Sequence, residues 1–200
     1  LKVDFATGSG PWDVAIGDLD GDGKPDVVTG NNASNNVSVL RNTSVSGTIS
    51  FAAKVDSGAG SLPYSVAIGD IDADGKPDIG IANYGSYTVS VLRNKSVSGT
   101  LSFDAKVDFA TGFSPYPLVI GDIDGDGKAD LAGTNQGSNT VSIFRNTSSL
   151  ANISFAARVD STTGTTPGGI AIGDIDGDGK LDLTIANRNS NTLSVFRNTS

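Results

Sequence analysis

The 200-residue sequence is acidic, with a formal net charge of −8, and all 22 of its acidic residues are Asp. It contains no Glu, His, Cys or Met, which excludes Ser–His and Cys–His dyads, imidazole or thiolate metal ligands, Glu acid–base catalysis and disulfides. It has no basic stretch and no run of 18 apolar residues, so nucleic-acid binding and membrane insertion are not expected. We therefore expect a protein that is not an enzyme.

The sequence repeats with a period of 52 residues, and each repeat predicts four short strands and no helix. In the first repeat the predicted strands are residues 13–17, 27–30, 37–41 and 49–55, and an acidic loop joins the first two. The first strand recurs at residues 65–69, 118–121 and 170–173, and the second at 79–82, 131–134 and 183–186. The third recurs at 89–93, and the fourth at 101–107 and 153–159. We expect one domain, 1–200, with repeats at approximately 1–48, 49–100, 101–152 and 153–200.

The acidic loop of the first repeat reads Asp18-Leu19-Asp20-Gly21-Asp22-Gly23-Lys24-Pro25-Asp26, with carboxylates at positions 1, 3, 5 and 9. Two unit charges about 4 Å apart repel by roughly 4 kcal/mol at an effective dielectric constant near 20, so this loop needs a cation. Glycine at position 6 allows the left-handed backbone of a tight turn, and the backbone carbonyl of Lys24 at position 7 is free to join the carboxylates. All-oxygen ligation of this kind is typical of Ca²⁺, whereas Mg²⁺ usually keeps more of its water.

Every repeat carries this loop, so the sequence predicts four calcium sites, one per repeat. The predicted ligands are Asp18, Asp20, Asp22, Lys24 and Asp26; Asp70, Asp72, Asp74, Lys76 and Asp78; Asp122, Asp124, Asp126, Lys128 and Asp130; and Asp174, Asp176, Asp178, Lys180 and Asp182. The residue at position 12, Thr29 in the first repeat, is never Glu, and strands flank the loop, so these are not EF-hands. Four Ca²⁺ ions would cancel the net charge of −8, which indicates that the acidity serves the ions and not a charged partner.

Four strands in a repeat of about 50 residues are typical of a β-propeller blade, and blades stack around an axis because one blade cannot bury both of its faces. The expected fold is an all-β propeller of four-stranded antiparallel blades. Leu1–Phe5 aligns with residues 53–57, the end of a predicted fourth strand, whereas the last repeat reaches Ser200 without one. We expect Leu1–Phe5 to complete the last blade of a closed four-blade ring, or a neighbouring chain's blade in a larger ring, which would make the protein a homo-oligomer.

The segment Ala15-Ile16-Gly17 followed by the acidic loop, together with its copies in the other three repeats, resembles the FG-GAP/VCBS-type repeat family, the calcium-loop propellers of integrin α-chains and many secreted bacterial proteins. The resemblance covers essentially the whole chain and implies a propeller with one calcium ion in each loop. Ala73 stands where the other loops have Gly at position 4, and we expect a slightly stiffer loop that keeps its site. The family's Phe-Gly and Gly-Ala-Pro signatures are not obvious here, so the VCBS type fits better than the integrins.

An aromatic residue follows a proline at the start of the first strand in three of the four repeats: Trp12, Tyr64 and Tyr116. The chain direction places them on the face opposite the acidic loops. Aromatic platforms of this kind suit a glycan or an exposed side chain of a protein partner, so these three are candidate ligand-binding residues. The alternative is that the rings fill the channel and pack between blades. The fourth repeat has Gly168 at this position.

The sequence favours a calcium-binding propeller that acts as a structural or adhesive binding module outside the cell or on its surface, with Ca²⁺ making the blade loops rigid. The alternative function is a lectin that uses the aromatic face. The compartment is an expectation from calcium chemistry, because weak calcium sites are useful where calcium is millimolar.

Overall fold

The computed structural model describes residues 2–200, which form fifteen strands and, within that range, no helix. None of these residues belongs to a helix long and apolar enough to cross a membrane. The strands are β1 (Pro11–Gly17), β2 (Asp26–Asn31), β3 (Asn36–Leu40), β4 (Val55–Gly58), β5 (Pro63–Gly69), β6 (Asp78–Asn83), β7 (Thr88–Leu92), β8 (Val107–Ala110), β9 (Pro115–Gly121), β10 (Asp130–Asn135), β11 (Thr140–Phe144), β12 (Val159–Thr162), β13 (Pro167–Gly173), β14 (Asp182–Asn187) and β15 (Thr192–Phe196).

The strands pair antiparallel in four separate sheets that follow the chain order, as expected for propeller blades. Blades 1, 2 and 3 have four strands each, β1–β4, β5–β8 and β9–β12, and blade 4 has the three strands β13–β15 within the described residues. The all-β prediction and the arrangement in four repeated blades are therefore confirmed.

Because side chains alternate along a strand, each strand residue points to one of the two faces of its blade. In β3, Val37 and Val39 point to one face and are fully buried, and Ser38 points to the other. The β-branched residues suit a pleated sheet covered on that side. Each blade therefore presents one face to the blade before it and one to the blade after it.

Close approach of the innermost strands holds successive blades together: β5 packs on β1, β9 on β5 and β13 on β9. Val66 and Ile68 of blade 2 lie over glycines of blade 1, so that a Cβ added at Gly17 would come within 3.2 Å of Ile68 and one at Gly30 within 3.2 Å of Val66. Glycine is needed here because it lets an aliphatic side chain reach the neighbouring backbone.

The four blades do not close into a ring within residues 2–200, because β13 is not among the strands that pack against β1. Residues 2–7 belong to no strand. The Gly8 N–H donates to Ser38 Oγ at 3.0 Å, and the Phe5 ring lies edge-on to Phe51 at 4.9 Å, so this segment is held on blade 1. The expected completion of the last blade by Leu1–Phe5 is therefore not seen for residues 2–5, and Leu1 lies outside the described residues.

The prediction of the fourth strand at residues 49–55 was wrong, as it was at 101–107 and 153–159. The strand that pairs with β3 is β4, whose Val55 lies opposite Val39. The preceding residues instead form a hairpin, in which the Thr43 N–H donates to the Ser50 carbonyl at 2.9 Å and Gly47 has a φ of +83°. The hairpin uses the backbone groups that a longer strand would have offered to β3.

Candidate functional site

The acidic loops, here called the Asp loops, join the two innermost strands of each blade. In blade 1, β1 ends at Gly17, which pairs with Asp26 at the start of β2, so positions 1–8 of the loop turn back within a short span. Gly23 at position 6 has a φ of +84°, as predicted. Position 4 is also left-handed: φ is +72° at Gly21 and +57° at Ala73, so the alanine of the second loop keeps the same turn.

The carboxylate at position 1 accepts hydrogen bonds from backbone N–H groups of its own loop and so stabilises the turn. Asp18 Oδ1 accepts the N–H of Gly21 at 2.8 Å and of Asp22 at 3.2 Å, while its Oδ2 accepts the N–H of Gly23 at 2.8 Å. The equivalent carboxylates in the other loops make the same contact with the glycine at position 6. Asp20 and Asp22 each accept the N–H two residues further on, so the carboxylates at positions 1, 3 and 5 all turn toward the loop interior.

The aspartate at position 9 is buried and anchors the loop to the sheet. Asp26 Oδ2 accepts the Leu19 N–H at 2.9 Å and its Oδ1 accepts the Asn42 N–H at 2.7 Å. The same pair of bonds recurs at Asp78, Asp130 and Asp182. Each of these carboxylates keeps lone pairs beyond those used by the backbone.

The loops fit a divalent cation by donor type and by spacing. In every loop three carboxylates bring one oxygen each to within 4.8 Å of one another: Asp18, Asp20 and Asp22; Asp70, Asp72 and Asp78; Asp122, Asp124 and Asp130; Asp174, Asp176 and Asp182. Two oxygens that each lie about 2.3–2.6 Å from one Ca²⁺ ion are at most about 5 Å apart. The observed spacing is therefore compatible with a shared calcium ion, whose charge would offset the repulsion between the carboxylates.

An arginine lies against the outer oxygens of each loop. Arg93 Nε contacts Asp72 Oδ2 at 2.5 Å and its Nη2 contacts Asp74 Oδ2 at 2.8 Å. The same two contacts recur between Arg197 and the carboxylates of Asp176 and Asp178. Arg145 reaches only Asp124, at 3.3 Å, and Arg41 Nη1 lies 3.9 and 3.8 Å from Asp20 and Asp22. In the second and fourth loops the guanidinium holds one oxygen of each of two carboxylates in place, which fixes their orientation.

Burial and repulsion from neighbouring carboxylates raise the pKa of three loop aspartates, all at position 9. Burial raises the pKa of Asp78 to about 6. Hydrogen bonds from the backbone N–H groups of Asn94 and Ile71 lower this pKa, but their effect is smaller than that of burial. Burial likewise raises the pKa of Asp26 and of Asp130. A cation in the loop would oppose these shifts because it favours the charged form.

Each of the first three Asp loops also contacts the blade that follows it. The Asn94 side-chain amide of blade 2 donates to the Leu19 carbonyl at 2.8 Å, and the Gly99 N–H of blade 2 donates to Asp20 Oδ2 at 2.9 Å. One repeat later, Asn146 donates to the Ile71 carbonyl and the Ala151 N–H donates to Asp72 Oδ2. The candidate metal loops are thus part of the contacts between blades.

The predicted aromatic residues come together in one cluster, the aromatic surface, formed by Trp12, Tyr64, Tyr84 and Tyr116. Trp12 stacks on Tyr64 with ring centroids 4.9 Å apart and planes at 15°. Tyr64 also contacts Tyr84 at 4.8 Å and Tyr116 at 6.2 Å. Trp12 remains 58% exposed, so the cluster is accessible and is not a fully buried plug.

Hydrogen bonds between loops place Tyr84 in this cluster. The Tyr84 N–H donates to the Leu62 carbonyl at 2.9 Å, and the Gly85 N–H to the Ser61 carbonyl at 3.0 Å. These bonds bind the β6–β7 turn to the loop that leads into β5. Within residues 2–200 the Trp12 indole N–H makes no hydrogen bond, so its polar group is free for a ligand.

Comparison with known families identifies the repeat. The FG-GAP-like repeat family matches residues 18–81, 70–133 and 123–185, which together span most of the chain. The protein belongs to the FG-GAP-like repeat family. Comparison with curated protein sequences finds no match.

Solved structures share the fold of this FG-GAP-like chain at low sequence identity. BBS1N in complex with ARL6DN matches with a TM-score of 0.59 and 16% identity over 97% of this chain and 60% of that one. A lectin of Agrocybe aegerita that recognises non-reducing terminal N-acetylglucosamine matches with a TM-score of 0.56 and 17% identity over 92% of this chain and 51% of that one. The FG-GAP-like chain therefore spans between one half and two thirds of the length of these structures.

The predicted site residues fall into two separate places. In each Asp loop three of the four predicted carboxylates converge, and Trp12, Tyr64 and Tyr116 meet as a cluster. The groups of three leave out Asp26, Asp74, Asp126 and Asp178. The calcium ligand set itself, including the carbonyl groups of the lysines at position 7, stays a prediction. The Arg-Asn pair of each repeat, Arg41-Asn42 in the first, is a part of the site that was not predicted. Its 52-residue spacing, the same as that of the loops, was the available signal.

Proposed function

We propose that this FG-GAP-like protein is a calcium-stabilised propeller module that acts as a structural or adhesive binding protein, secreted or on the cell surface. The observation that carries the proposal is the convergence of three carboxylate oxygens within 4.8 Å in each of the four Asp loops. Four bound Ca²⁺ ions would neutralise the formal charge of −8. With the loop carboxylates given to the ions and no His, Cys or Glu in the sequence, we infer binding and not catalysis.

Calcium would act on the loops and, through them, on the whole array. Asp18, Asp20, Asp22 and Asp26, with their equivalents, would hold the ion together with the Lys24 carbonyl. The bound ion supplies positive charge that balances these carboxylates. Since Asp20 and the Leu19 carbonyl also contact blade 2, an ordered loop stabilises the contact between blades.

Calorimetric titration of calcium into EDTA-treated protein tests this proposal. We expect about four ions per chain, one for each loop, and a higher melting temperature in calcium than in EDTA, because a ligand at 100 times its Kd contributes about 2.7 kcal/mol per site. Magnesium should stabilise less, since it releases its water reluctantly. An absence of binding heat together with an unchanged melting temperature would refute the proposal.

A second candidate function is carbohydrate binding at the aromatic surface. The observation that favours it is the exposed stack of Trp12 on Tyr64, because a flat aromatic face suits the apolar face of a sugar ring. The structural likeness to a lectin supports the fold and no particular sugar. A glycan array tests this function, with Trp12→Ala as the variant and Tyr87→Ala, which packs on Phe113 outside the cluster, as its control. Glycan binding that survives Trp12→Ala would contradict this assignment, and an array without any bound glycan would favour a protein ligand.

A further inference from the structure

A cleft of about 390 Å³ lies where blades 2 and 3 meet, separate from the Asp loops and from the aromatic surface. Its walls include the rings of Tyr87 and Phe113 and the ion pair of Arg158 with Asp160, and we call it the inter-blade cleft. Its volume is within the range of about 300–1,000 Å³ that is usual for ligand pockets. Blades 2 and 3 each pack against a blade on both sides within the chain, so a further blade would not cover the cleft.

Tyr87 occupies a backbone position that does not suit it. Its φ is +58°, in the left-handed region, which a bulky side chain rarely adopts. The equivalent residues of the other repeats are left-handed as well, but all of them are Asn, which tolerates this conformation: Asn35, Asn139 and Asn191. A tyrosine at this one position therefore adds strain that the rest of the array avoids.

Tyr87 also replaces a hydrogen bond between blades. At the contact between blades 3 and 4, Asn139 Oδ1 accepts the Thr166 N–H at 2.8 Å, and the same bond joins blades 1 and 2. The equivalent N–H at the contact between blades 2 and 3 is that of Ser114, to which Tyr87 offers no amide oxygen. Strained residues of this kind cluster at ligand-binding sites, where the strain is balanced elsewhere in the structure.

Phe113 is a second ring that its own loop does not require. The Phe113 N–H donates to Ser138 Oγ at 3.0 Å, as the Ser61 N–H donates to Ser86 Oγ at 3.1 Å, so a small polar residue supports the same loop. The Phe113 ring is 62% exposed and contacts Tyr87, which is 43% exposed, with centroids 5.3 Å apart and planes at 90°. Two accessible rings, each present in one repeat only, therefore meet at right angles in the cleft.

Arg158 is a third departure from the repeat at the same cleft. The equivalent residues Lys54 and Lys106 each pair with the aspartate two residues further on. Arg158 Nε contacts Asp160 Oδ2 in the same way at 3.2 Å, but neither Nη group contacts a carboxylate within residues 2–200. Elsewhere in the chain Arg93 holds one carboxylate with Nε and a second with Nη2. Because Arg binds carboxylates through its planar fork, Arg158 can hold a second carboxylate that a ligand supplies.

The free polar groups of the cleft are hydrogen-bond donors. Asp160 Oδ1 accepts the Ser142 hydroxyl at 2.7 Å and its Oδ2 faces Arg158, so this carboxylate is already paired. The Tyr87 hydroxyl makes no hydrogen bond within residues 2–200. A ligand that fits must therefore bring acceptors. A proline-rich segment does so, because proline has a carbonyl and no N–H and the polyproline II helix has no internal hydrogen bonds.

The angle between the rings favours a peptide over a sugar. A sugar ring lies flat on one aromatic face, such as the stack of Trp12 on Tyr64 with planes at 15°. Two rings at 90° form a notch, which suits a narrow ridge such as the ring of a proline. Aromatic-lined grooves bind proline-rich segments in this manner.

We propose that the inter-blade cleft binds an acidic, proline-rich segment of a protein partner. A proline ring lies between Tyr87 and Phe113, and an Asp or Glu carboxylate of the segment pairs with the Nη groups of Arg158. This ligand deepens the proposed function, since it rests on the role of the chain as a binding module, and it uses none of the calcium loops.

An array of short synthetic peptides built from Pro, Asp, Lys and Ala tests the proposal on the whole chain in calcium. We expect the wild type to bind peptides in which Asp stands next to Pro and to reject those in which Lys replaces Asp. Fluorescence anisotropy then gives the affinity of the best peptide. An array without any bound peptide would overturn the proposal.

Three variants that restore the residues of the other repeats, Tyr87→Asn, Phe113→Ser and Arg158→Lys, identify the site. Each should weaken binding of the best peptide by about tenfold or more, because each removes a ring or the fork that holds the carboxylate. Arg188→Gln, at an exposed arginine of blade 4, is the control for lost charge. Leu150→Ser, at a residue that is 70% exposed, is the control for lost apolar surface. Unchanged binding in all three variants would place the site elsewhere.

Tyr87→Asn also separates a binding role from a folding role. Asparagine suits the left-handed backbone and restores an acceptor for the Ser114 N–H, so the melting temperature should be equal to or higher than that of the wild type while peptide binding falls. A lower melting temperature would make Tyr87 a structural residue and would overturn its assignment as a binding residue.

The pairing with Arg158 has its own test in the peptide. When Ala replaces Asp in the best peptide, the wild type and Arg158→Lys should bind it equally, because the carboxylate is gone. If Arg158→Lys weakens both peptides by the same factor, the carboxylate does not pair with Arg158.

Two further outcomes distinguish this proposal from its rivals. A chain that binds calcium but no peptide would overturn the peptide site and leave the calcium-stabilised module intact, whereas peptide binding without calcium binding would do the reverse. An oligomer of galacturonic acid that binds the wild type and not Arg158→Lys would assign the cleft to an acidic glycan and overturn the protein ligand.

Discussion

The side-chain amide of Asn94 donates to the backbone carbonyl of Leu19, 2.8 Å away and 75 residues earlier in the chain. Leu19 lies inside the Asp loop of blade 1, and Asn94 follows the third strand of blade 2. The same amide also donates to the Pro77 carbonyl of its own loop at 2.8 Å. One buried side chain therefore joins two candidate metal loops.

Replacing Asn94 by Ala should lower the free energy of unfolding more than the equivalent change at Asn42. The Asn42 amide donates to the Pro25 carbonyl of its own loop and to no other blade within residues 2–200. Since a buried acceptor left without its donor costs about 1–3 kcal/mol, we expect Asn94→Ala to cost about 1–2 kcal/mol more than Asn42→Ala. Urea denaturation of both variants measures the difference. Equal losses would mean that the Asn94–Leu19 bond contributes nothing.

Removing one loop carboxylate should remove one calcium ion. Asp124→Asn takes an oxygen from the group formed with Asp122 and Asp130, and the other three loops keep theirs. We expect titration calorimetry to give about three ions instead of four. Asp4→Asn, at an exposed carboxylate outside the loops, should leave the number unchanged. A full complement of ions in Asp124→Asn would contradict the assignment of that carboxylate as a ligand.

The stability of the metal-free protein should fall as the pH rises from about 4.5 to 7. Burial raises the pKa of Asp78 to about 6 from 3.8, so the folded state binds a proton more tightly than the unfolded chain. Its contribution is complete below the unfolded pKa and is lost as the pH passes the folded pKa, up to about 3 kcal/mol for this group. The raised pKa values of Asp26 and Asp130 act in the same direction.

Calcium should reverse that dependence because it binds the ionised carboxylates. The rise in melting temperature caused by calcium should be larger at pH 7 than at pH 5. Melting curves in EDTA and in calcium across this range provide the measurement. A metal-free protein whose melting temperature increases with pH would show that the buried aspartates do not control its stability.

A side chain at the glycine between blades should be costly only where a neighbour lies over it. Gly69→Val would bring its Cβ within 2.6 Å of Ile120, whereas Gly173→Val would meet nothing within 4 Å. Overpacking of this kind costs about 1–3 kcal/mol, and an exposed change costs about 0.5 kcal/mol or less. Thermal melting of the two variants measures the difference. Similar melting temperatures would show that the isoleucine moves aside freely.

The fluorescence of Trp12 should report on the aromatic surface, because it is the single Trp of the sequence. Tyr64→Ala removes the ring stacked on it at 4.9 Å, so we expect emission at longer wavelength and stronger quenching by acrylamide. Tyr87→Ala, outside the cluster, should change neither. An unchanged spectrum in Tyr64→Ala would mean that the stack does not persist in solution.

The Asp loops were predictable because their fold is local. The turn from Asp18 to Asp26 depends on carboxylate–backbone hydrogen bonds within nine residues, and four repeats reproduce it. The fourth strand was not predictable in the same way. Residues 49–55 alternate like a strand, but the pairing of Val39 with Val55 is decided by a hairpin whose own hydrogen bonds occupy the residues in between.

Contacts between repeats could not be predicted from single segments of the sequence either. The role of the Asn in each Arg-Asn pair depends on a carbonyl in the preceding blade, and that of Tyr84 depends on a turn held against the loop that leads into β5. The Asn recurs in every repeat and Tyr84 occurs in one repeat only, so both positions stand out in the sequence. Their partners, however, are distant along the chain.

The hydrogen bond from the Gly99 N–H to Asp20 connects ion binding in one loop to the structure of the following blade. Asp20 is a candidate ligand in the loop of blade 1, and its other partner belongs to blade 2, where Asp72 in turn accepts the Ala151 N–H of blade 3. Filling one loop would therefore order the hairpin of the next blade and lower the entropy lost when that blade binds its own ion. Calcium uptake is then expected to be cooperative between neighbours, with a Hill coefficient above one and a saturation curve steeper than that of four independent loops.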